Sequence, residues 1–393
     1  MIYPRKILSE ITKYIKSKEI IVLTGMRQVG KTTLYRIIFD SINSDNKIFL
    51  DMENPIDQKV FEEEDFNNIV RNFERSGIDS KKKMYIFIDE IQAMPGIVRA
   101  IRYLYDNYDI KFFVTGSSSF YLKSLFPESL AGRKFLFEMF PLDFEEFLIF
   151  KNQKRQFYED FEEKDQQKNF IIYEKLKRFY DEYLEFGGFP AVVLAENVEE
   201  KKMKLKDIFK SYFEKDIKIL ADFKDIRAMR ELILLIMQRC GSKLEITKLA
   251  SEIGVSRETI YSYLNFLEGT YFILLITPFS RNVDREVSGS KKVYLCDNGL
   301  LNSFARVSEG SIFENAVFLN LKKYGKINYY RKRTGAEIDF IVNEKLAIEV
   351  KQNATESDYK KLQRIGNQLN ISNYYVITRN FVDKKGFIPA LEL

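Results

Sequence analysis

One octet constrains this chain more than any other feature: Gly25-Met26-Arg27-Gln28-Val29-Gly30-Lys31-Thr32, set between an apolar run at 19–25 and a helical pattern. It fits G-x-x-x-x-G-K-[ST] in the strand, loop and helix context that gives the pattern meaning. The glycines let the backbone turn tightly enough for successive amides to face one phosphate, and the following helix adds its positive N-terminal end. Gly25, Gln28, Val29, Gly30, Lys31, Thr32 and Thr33 are therefore expected to cradle a nucleotide. Lys31 would reach the β- and γ-phosphates and the Thr32 hydroxyl would ligate Mg2+.

A phosphate loop needs acidic partners at the same sheet edge. Met84-Tyr85-Ile86-Phe87-Ile88-Asp89-Glu90 is an apolar strand ending in two carboxylates. Buried strands end at the ligand-bearing edge of such sheets, which puts Asp89 beside the metal and Glu90 where it can polarise the attacking water. The run at 110–117 ends in hydroxyls, so Thr115 or Ser117 is a candidate to sense the γ-phosphate, with loop capping as the plain alternative. Arg133, in Leu130-Ala131-Gly132-Arg133, is the candidate for an arginine that stabilises transferred-phosphate charge, in its own or a neighbouring subunit.

Composition narrows the chemistry further. The 393 residues include no histidine, which removes Ser-His-Asp and Cys-His nucleophile systems and His-ligated zinc. Two cysteines, Cys240 and Cys296, are too few and too far apart for a four-thiolate site or a disulfide framework. Carboxylates, lysine, hydroxyls, backbone amides and an oxygen-ligated metal remain. No apolar run reaches the ~18 residues of a spanning helix and the start shows no signal-peptide core, so a cytoplasmic protein without membrane contact is expected. The net charge is +5, and residues 286–393 hold 17 basic against 12 acidic side chains, which accounts for all of it.

Apolar runs at 19–25, 47–53, 83–90, 110–117 and 134–140, separated by helical patterns, predict an α/β parallel sheet covered on both faces over residues 1–140. Residues 141–225 turn helical and highly charged around Gly187-Gly188-Phe189-Pro190, a helical lid or connector. Three helical segments in 226–285, followed by the run at 271–279, have the look of a winged helix-turn-helix. Residues 286–393 form the final domain, with helix, strand, strand, strand, helix, strand in order.

GMRQVGKTT, YIFIDEIQ, VTGSSS, LAGR, PLDFEEFL, GGFP and KVYLCDNGL occur here in the order seen in a widespread group of bacterial and archaeal AAA-type ATPases, which this chain resembles along nearly its whole length. The resemblance implies an AAA-like P-loop ATPase core using ATP and Mg2+. It also implies a C-terminal domain similar to the PD-(D/E)XK nuclease fold, of poorly defined function and without a defined substrate.

In that last domain, Glu337-Ile338-Asp339-Phe340-Ile341-Val342 and Leu346-Ala347-Ile348-Glu349-Val350-Lys351 both alternate polar and apolar. With a turn at 343–345 and Val342 facing Leu346, Asp339 would lie opposite Glu349 and Glu337 opposite Lys351. Facing carboxylates repel, and a divalent cation between them would relieve this. Glu314 supplies the upstream acid that many such nucleases use, and Lys351 would orient a water or stabilise phosphate charge. Lys322-Lys323 and Arg331-Lys332-Arg333 are candidate backbone contacts, and Arg257, Thr259 and Tyr261 candidate groove contacts, for DNA. The competing expectation is an ATP-driven switch whose inactive nuclease-like domain binds a protein or nucleic acid. A homo-oligomer or a protein partner is compatible with either.

Overall fold

All five runs of the first 140 residues become strands: β1 (Ile20–Thr24), β2 (Lys47–Asp51), β3 (Met84–Asp89), β4 (Ile110–Gly116) and β5 (Lys134–Glu138). In this computed structural model, which describes residues 3–117, 132–217, 226–282, 286, 289–332 and 335–393, they make one parallel sheet in the order β2-β3-β4-β1-β5. Central β1 and β4 are buried at every residue, whereas edge strands β2 and β5 are half exposed. Side chains alternate across the sheet, so each face has its own core. Phe87 and Phe113 stack at 4.2 Å on one face, with Tyr35 of helix Lys31–Ser41 set edge-on to both. On the other face Ile86, Ile88, Phe112 and Val114 join Ile69 and Phe73 of helix Phe66–Arg75 and Ile101 and Leu104 of helix Ile97–Asn107. Each such side chain contributes about 1.5–3 kcal/mol when fully buried.

This sheet belongs to one compact unit, Met1–Phe140 with Asn265–Tyr271; Pro141–Leu264 with Phe272–Leu393 forms a second. The second unit holds helices Ile226–Gln238 and Ile246–Ile253 and most of Arg257–Gly269, at the three positions read as helical. They are followed by β6 (Ile273–Ile276), paired antiparallel with β7 (Lys292–Leu295). Beyond helix Glu309–Leu321 comes a mixed sheet of β8 (Ile327–Arg331), β9 (Glu337–Val342), β10 (Leu346–Lys351), β11 (Asn373–Thr378) and β12 (Phe387–Pro389), ordered β12-β11-β10-β9-β8. Helix Glu356–Gln368 seals one face with Leu362 and Ile365 against Ile338, Ile341 and Val376. Phe318 closes the other, its ring 4.2 Å from Tyr294 and 5.9 Å from Phe340. Among the described residues no helix is long and apolar enough to cross a membrane.

The β9–β10 register is the one expected over three pairs, Val342 with Leu346, Ile341 with Ala347 and Phe340 with Ile348. It then departs from expectation. The Asp339 carboxylate accepts the Val350 amide at 2.8 Å, so a side chain takes the place of the ladder partner and the predicted Asp339–Glu349 pair does not form in the ladder. Glu337 faces Arg331 on β8 rather than Lys351. The two strands separate where a carboxylate caps the neighbour's backbone.

GGFP and the Asp-Asn-Gly-Leu of KVYLCDNGL prove to be two halves of one knot. Asp297 Oδ2 accepts the Gly188 amide at 2.6 Å and Oδ1 the Leu300 amide at 3.1 Å, which caps helix Asn298–Phe304. Gly187 sits at φ 75°, and a Cβ there would lie 2.2 Å from the Asp297 carboxylate. Burial, against the amides of Gly188, Leu300 and Gly299, pushes the Asp297 carboxyl up to about 6. A carboxyl raised in the folded state stabilises most when protonated, so its contribution is complete below the unfolded value near 3.9 and is lost as pH rises through 6. Asp297→Asn should remove a pH-dependent component on the order of 3 kcal/mol between pH 4 and 7. Thermal melts of both proteins across that range measure it, and parallel stability curves would refute the assignment.

Candidate active site

Because the first sheet is parallel, the segments after β1, β3 and β4 emerge at one edge. The β1 loop is shaped by left-handed backbone at Gln28 (φ 64°) and Gly30 (φ 100°), which curls its amides inward. Gly25 (φ 152°) runs so close to the next strand segment that a Cβ would lie 2.0 Å from the Met139 carbonyl oxygen. Lys31 opens helix Lys31–Ser41 and is 4% exposed; its Nζ donates to the carbonyls of Gly25 at 2.8 Å and Met26 at 3.0 Å. The ammonium thus folds back over the loop. Val29 is buried and contributes backbone only, and Thr33 is exposed on the first helical turn.

The acid pair stands at the end of β3, at the sheet edge that carries the loop. Asp89 Oδ2 accepts the Thr32 hydroxyl at 2.7 Å, and Oδ1 accepts the hydroxyl of Thr115. Burial raises the Asp89 carboxyl above its ordinary value, while those two hydroxyls oppose the rise. Glu90 adopts φ 49°, a left-handed conformation that costs a non-glycine residue about 1–3 kcal/mol. Its amide donates to Thr115 Oγ1 at 3.0 Å, and its carboxylate accepts from Gln92 Nε2 with Arg27 at 3.9 Å. The same Gln92 amide group donates to Ser117 Oγ at 2.8 Å. Gln92 therefore ties the β3 acid to the β4 hydroxyl, a link the sequence reading missed although Gln92 stands only two residues past Glu90. Arg5 was also missed: its guanidinium donates to the carbonyls of Val29 at 2.9 Å and Phe140 at 2.8 Å, clamping the loop from behind.

Arg133 is a correction. Its carbonyl accepts the amide of Ile20, the first residue of β1, so it stands at the N-terminal edge of the sheet. Five strand residues separate that edge from the phosphate loop, about 16 Å at 3.3 Å per residue. The guanidinium bonds Asp106 at 3.0 Å. Strand direction thus sets Arg133 at the edge opposite its own subunit's phosphate loop. Leu130 and Ala131 of the same motif, and Ser118 and Ser119 of VTGSSS, lie outside the described residues.

The second unit gathers the other candidates. Glu349 accepts from Lys351 Nζ at 2.7 Å on β10, and Asp339 stands on the neighbouring strand. Glu314, on helix Glu309–Leu321, accepts from the Tyr294 hydroxyl at 2.7 Å. Burial, and after it the charge of Asp339, pushes both Glu314 and Glu349 up to about 7. A residue not foreseen sits among them: Lys292 of β7, with Nζ 3.0 Å from Glu337 Oε1 and 3.7 Å from Glu314 Oε1. Burial opposes its charge, but Glu314, Asp339 and Glu337 outweigh that and hold the ammonium above its ordinary value. Among the described residues no group of three His, Cys, Asp or Glu side chains is set to hold a metal. Lys323 is paired with Glu145 at 3.6 Å, Arg257 and Tyr261 are exposed, and Arg333 lies outside the described residues.

Comparison with known proteins agrees with the geometry of the first unit. Residues 17–148 match the AAA domain family, which makes this part of the chain an AAA-type ATPase domain with a nucleotide-binding P-loop. Residues 177–311 and 309–388 match two domain families of unknown function, DUF8612 and DUF4143. The chain belongs to the family of the uncharacterized protein MJ1544 of Methanocaldococcus jannaschii, to which it is 30% identical over 376 residues, covering 90% of this chain and 80% of that one. An uncharacterized protein of Haemophilus influenzae is 28% identical over 379 residues, covering 91% and 90%. Among solved structures, the ADP form of the Aeropyrum pernix ORC2 protein matches 67% of this chain and 84% of its own at 11% identity and a TM-score of 0.33. A signal-transduction ATPase with a tetratricopeptide repeat sensor from Pyrococcus horikoshii matches 82% and 46% at 13% identity and a TM-score of 0.30. Likenesses this distant carry no argument about activity.

Proposed function

We propose that the first unit hydrolyses ATP with Mg2+ and that its nucleotide state controls a C-terminal half acting on DNA. The observation that carries the ATPase half is the convergence of Lys31, Thr32, Asp89 and Glu90 at one sheet edge, joined by the 2.7 Å Thr32–Asp89 hydrogen bond. A hydroxyl and a carboxylate oxygen side by side suit a hard cation, so Thr32 and Asp89 are the residues that would hold Mg2+. When bound, the ion would neutralise charge on the phosphate oxygens. Lys31 would exchange its two carbonyl partners for β- and γ-phosphate oxygens. Glu90 takes the proton of the attacking water, while Gln92 and Ser117 fix the direction of its carboxylate. Arg133, remote from its own site, keeps only a role toward a neighbouring subunit.

For the chain beyond residue 140 we divide 141–225, 226–285 and 286–393 into a connector, a winged helix-turn-helix and a nuclease-like domain. The helix, three-strand, helix, strand order around Glu314, Asp339, Glu349 and Lys351 supports this division, and the surplus of 17 basic over 12 acidic residues in 286–393 supports contact with DNA. Asp339 and Glu349 supply two carboxylates, the number Mg2+ commonly takes from a protein when water and substrate phosphate complete its shell. A second reading, an ATP-driven switch with an inactive nuclease-like domain, is favoured by Lys292, which already pairs with Glu337 and Glu314. Cleavage of single-stranded, double-stranded and branched DNA with Mg2+ or Mn2+, with and without ATP, separates the two. The nuclease reading expects metal-dependent cutting that Asp339→Ala abolishes while ATP hydrolysis persists. Wild-type protein that cuts none of these substrates leaves the switch reading.

A further inference from the structure

We infer that Lys292 is a built-in counter-cation that competes with a divalent cation for the C-terminal carboxylate cluster. This rests on reading Asp339 and Glu349 as the metal-holding pair. Two carboxylates, Glu314 and Glu337, face Lys292, and two more, Asp339 and Glu349, stand on β9 and β10. Lys351 serves Glu349 at 2.7 Å, and Arg331 reaches Glu337 only at 3.6 Å from a half-exposed position. The Glu314–Glu337 side depends on Lys292, whose side chain is 4% exposed and lies 3.0 Å from Glu337 and 3.7 Å from Glu314. An ammonium so far from water is tolerated only where paired, so its position is set by the carboxylates and theirs by it.

The cation arrives from outside the sheet that carries most of the acids. Glu337, Asp339 and Glu349 stand on β9 and β10, whereas Lys292 stands on β7, which pairs with β6 in a separate two-stranded sheet. Side chains two residues apart share a face, so β7 presents Lys292 and Tyr294 together. Tyr294 donates to the same Glu314 oxygen that Lys292 approaches, at 2.7 Å. The two hold Glu314 toward β7 and satisfy it there. A divalent cation that recruits Glu314 beside Asp339 must take this oxygen from both and bear the repulsion of a neighbouring ammonium. Withdrawal of β7 would remove both obstacles at once.

Mn2+ binding to the full chain without nucleotide, followed by electron paramagnetic resonance of the free ion, tests this without reference to cleavage. Lys292→Met, which keeps most of the length of the side chain and removes its charge, should tighten Mn2+ binding at least tenfold. Asp339→Asn combined with Lys292→Met should lose the gain, which assigns it to this cluster. If Lys292→Met does not fold, Glu337→Gln serves instead. It deletes the nearest partner of the ammonium, turns its charge on the remaining acids, and should weaken binding about tenfold. Wild-type affinity in a folded Lys292→Met protein, or in Glu337→Gln, overturns the inference while leaving the metal reading intact. No Mn2+ bound by the wild type or either variant sinks the metal reading as well.

Discussion

Alanine at Lys31 is expected to cost the protein nucleotide affinity and turnover together. The ammonium is buried to 4% exposure and rests on two backbone carbonyls at 2.8 and 3.0 Å, a placement from which a phosphate can displace them without any movement of the helix. A hydrogen bond to a charged group is worth about 1.5–3 kcal/mol, so losing two toward a triphosphate should weaken binding by about 10²–10⁴. Titration with a fluorescent ATP analogue measures the first effect and phosphate release the second. Wild-type affinity in a folded variant would remove the phosphate-loop assignment, and with it the ATPase proposal.

Glu90→Gln should part binding from turnover. The substitution keeps shape and the contact with Gln92 but removes the basic oxygen, so ATP affinity should stay within a few fold while turnover falls by about 10²–10⁴. Single-turnover hydrolysis with saturating ATP reads the chemical step directly. Unchanged turnover would move the water-polarising role away from Glu90, despite its left-handed φ of 49° and its place beside Asp89. The two variants are informative as a pair, because a merely unfolded protein would lose binding in both.

Much of the first unit was legible in the sequence for a physical reason. Strands buried on both faces must be written as short apolar runs, and β1, β3 and β4 are such runs at 20–24, 84–89 and 110–116. The phosphate loop was legible because its backbone demands glycine at Gly25, where any Cβ meets Met139. The β9–β10 register followed from alternation and a turn whose Asn343 and Glu344 adopt φ 48° and 60°. What sequence adjacency cannot encode is which strand edge a residue occupies. Arg133, in Leu130-Ala131-Gly132-Arg133, was a candidate for stabilising phosphate charge, yet parallel pairing of the strand that follows it with β1 carries it to the far edge. Arg5 and Lys292 were missed for a related reason. Each acts on groups more than 20 residues away, and a basic residue beside an apolar run carries no local sign of the carbonyls or carboxylates it will meet.

The seven residues Asn265–Tyr271 complete the ATPase unit from a distance in sequence. Tyr271 donates its hydroxyl to Glu138 at 2.9 Å, and its ring stands edge-on to Phe140 at 5.5 Å. During synthesis from the N-terminus, all five strands of the parallel sheet leave the ribosome well before this segment does. The nucleotide-binding unit must therefore wait, with the surface that receives Tyr271 uncovered, until the intervening stretch from Pro141 to Leu264 has been made. A fragment ending at Phe140 would hold the same waiting state indefinitely, which makes it a poor source of the isolated ATPase and a direct view of its nascent form.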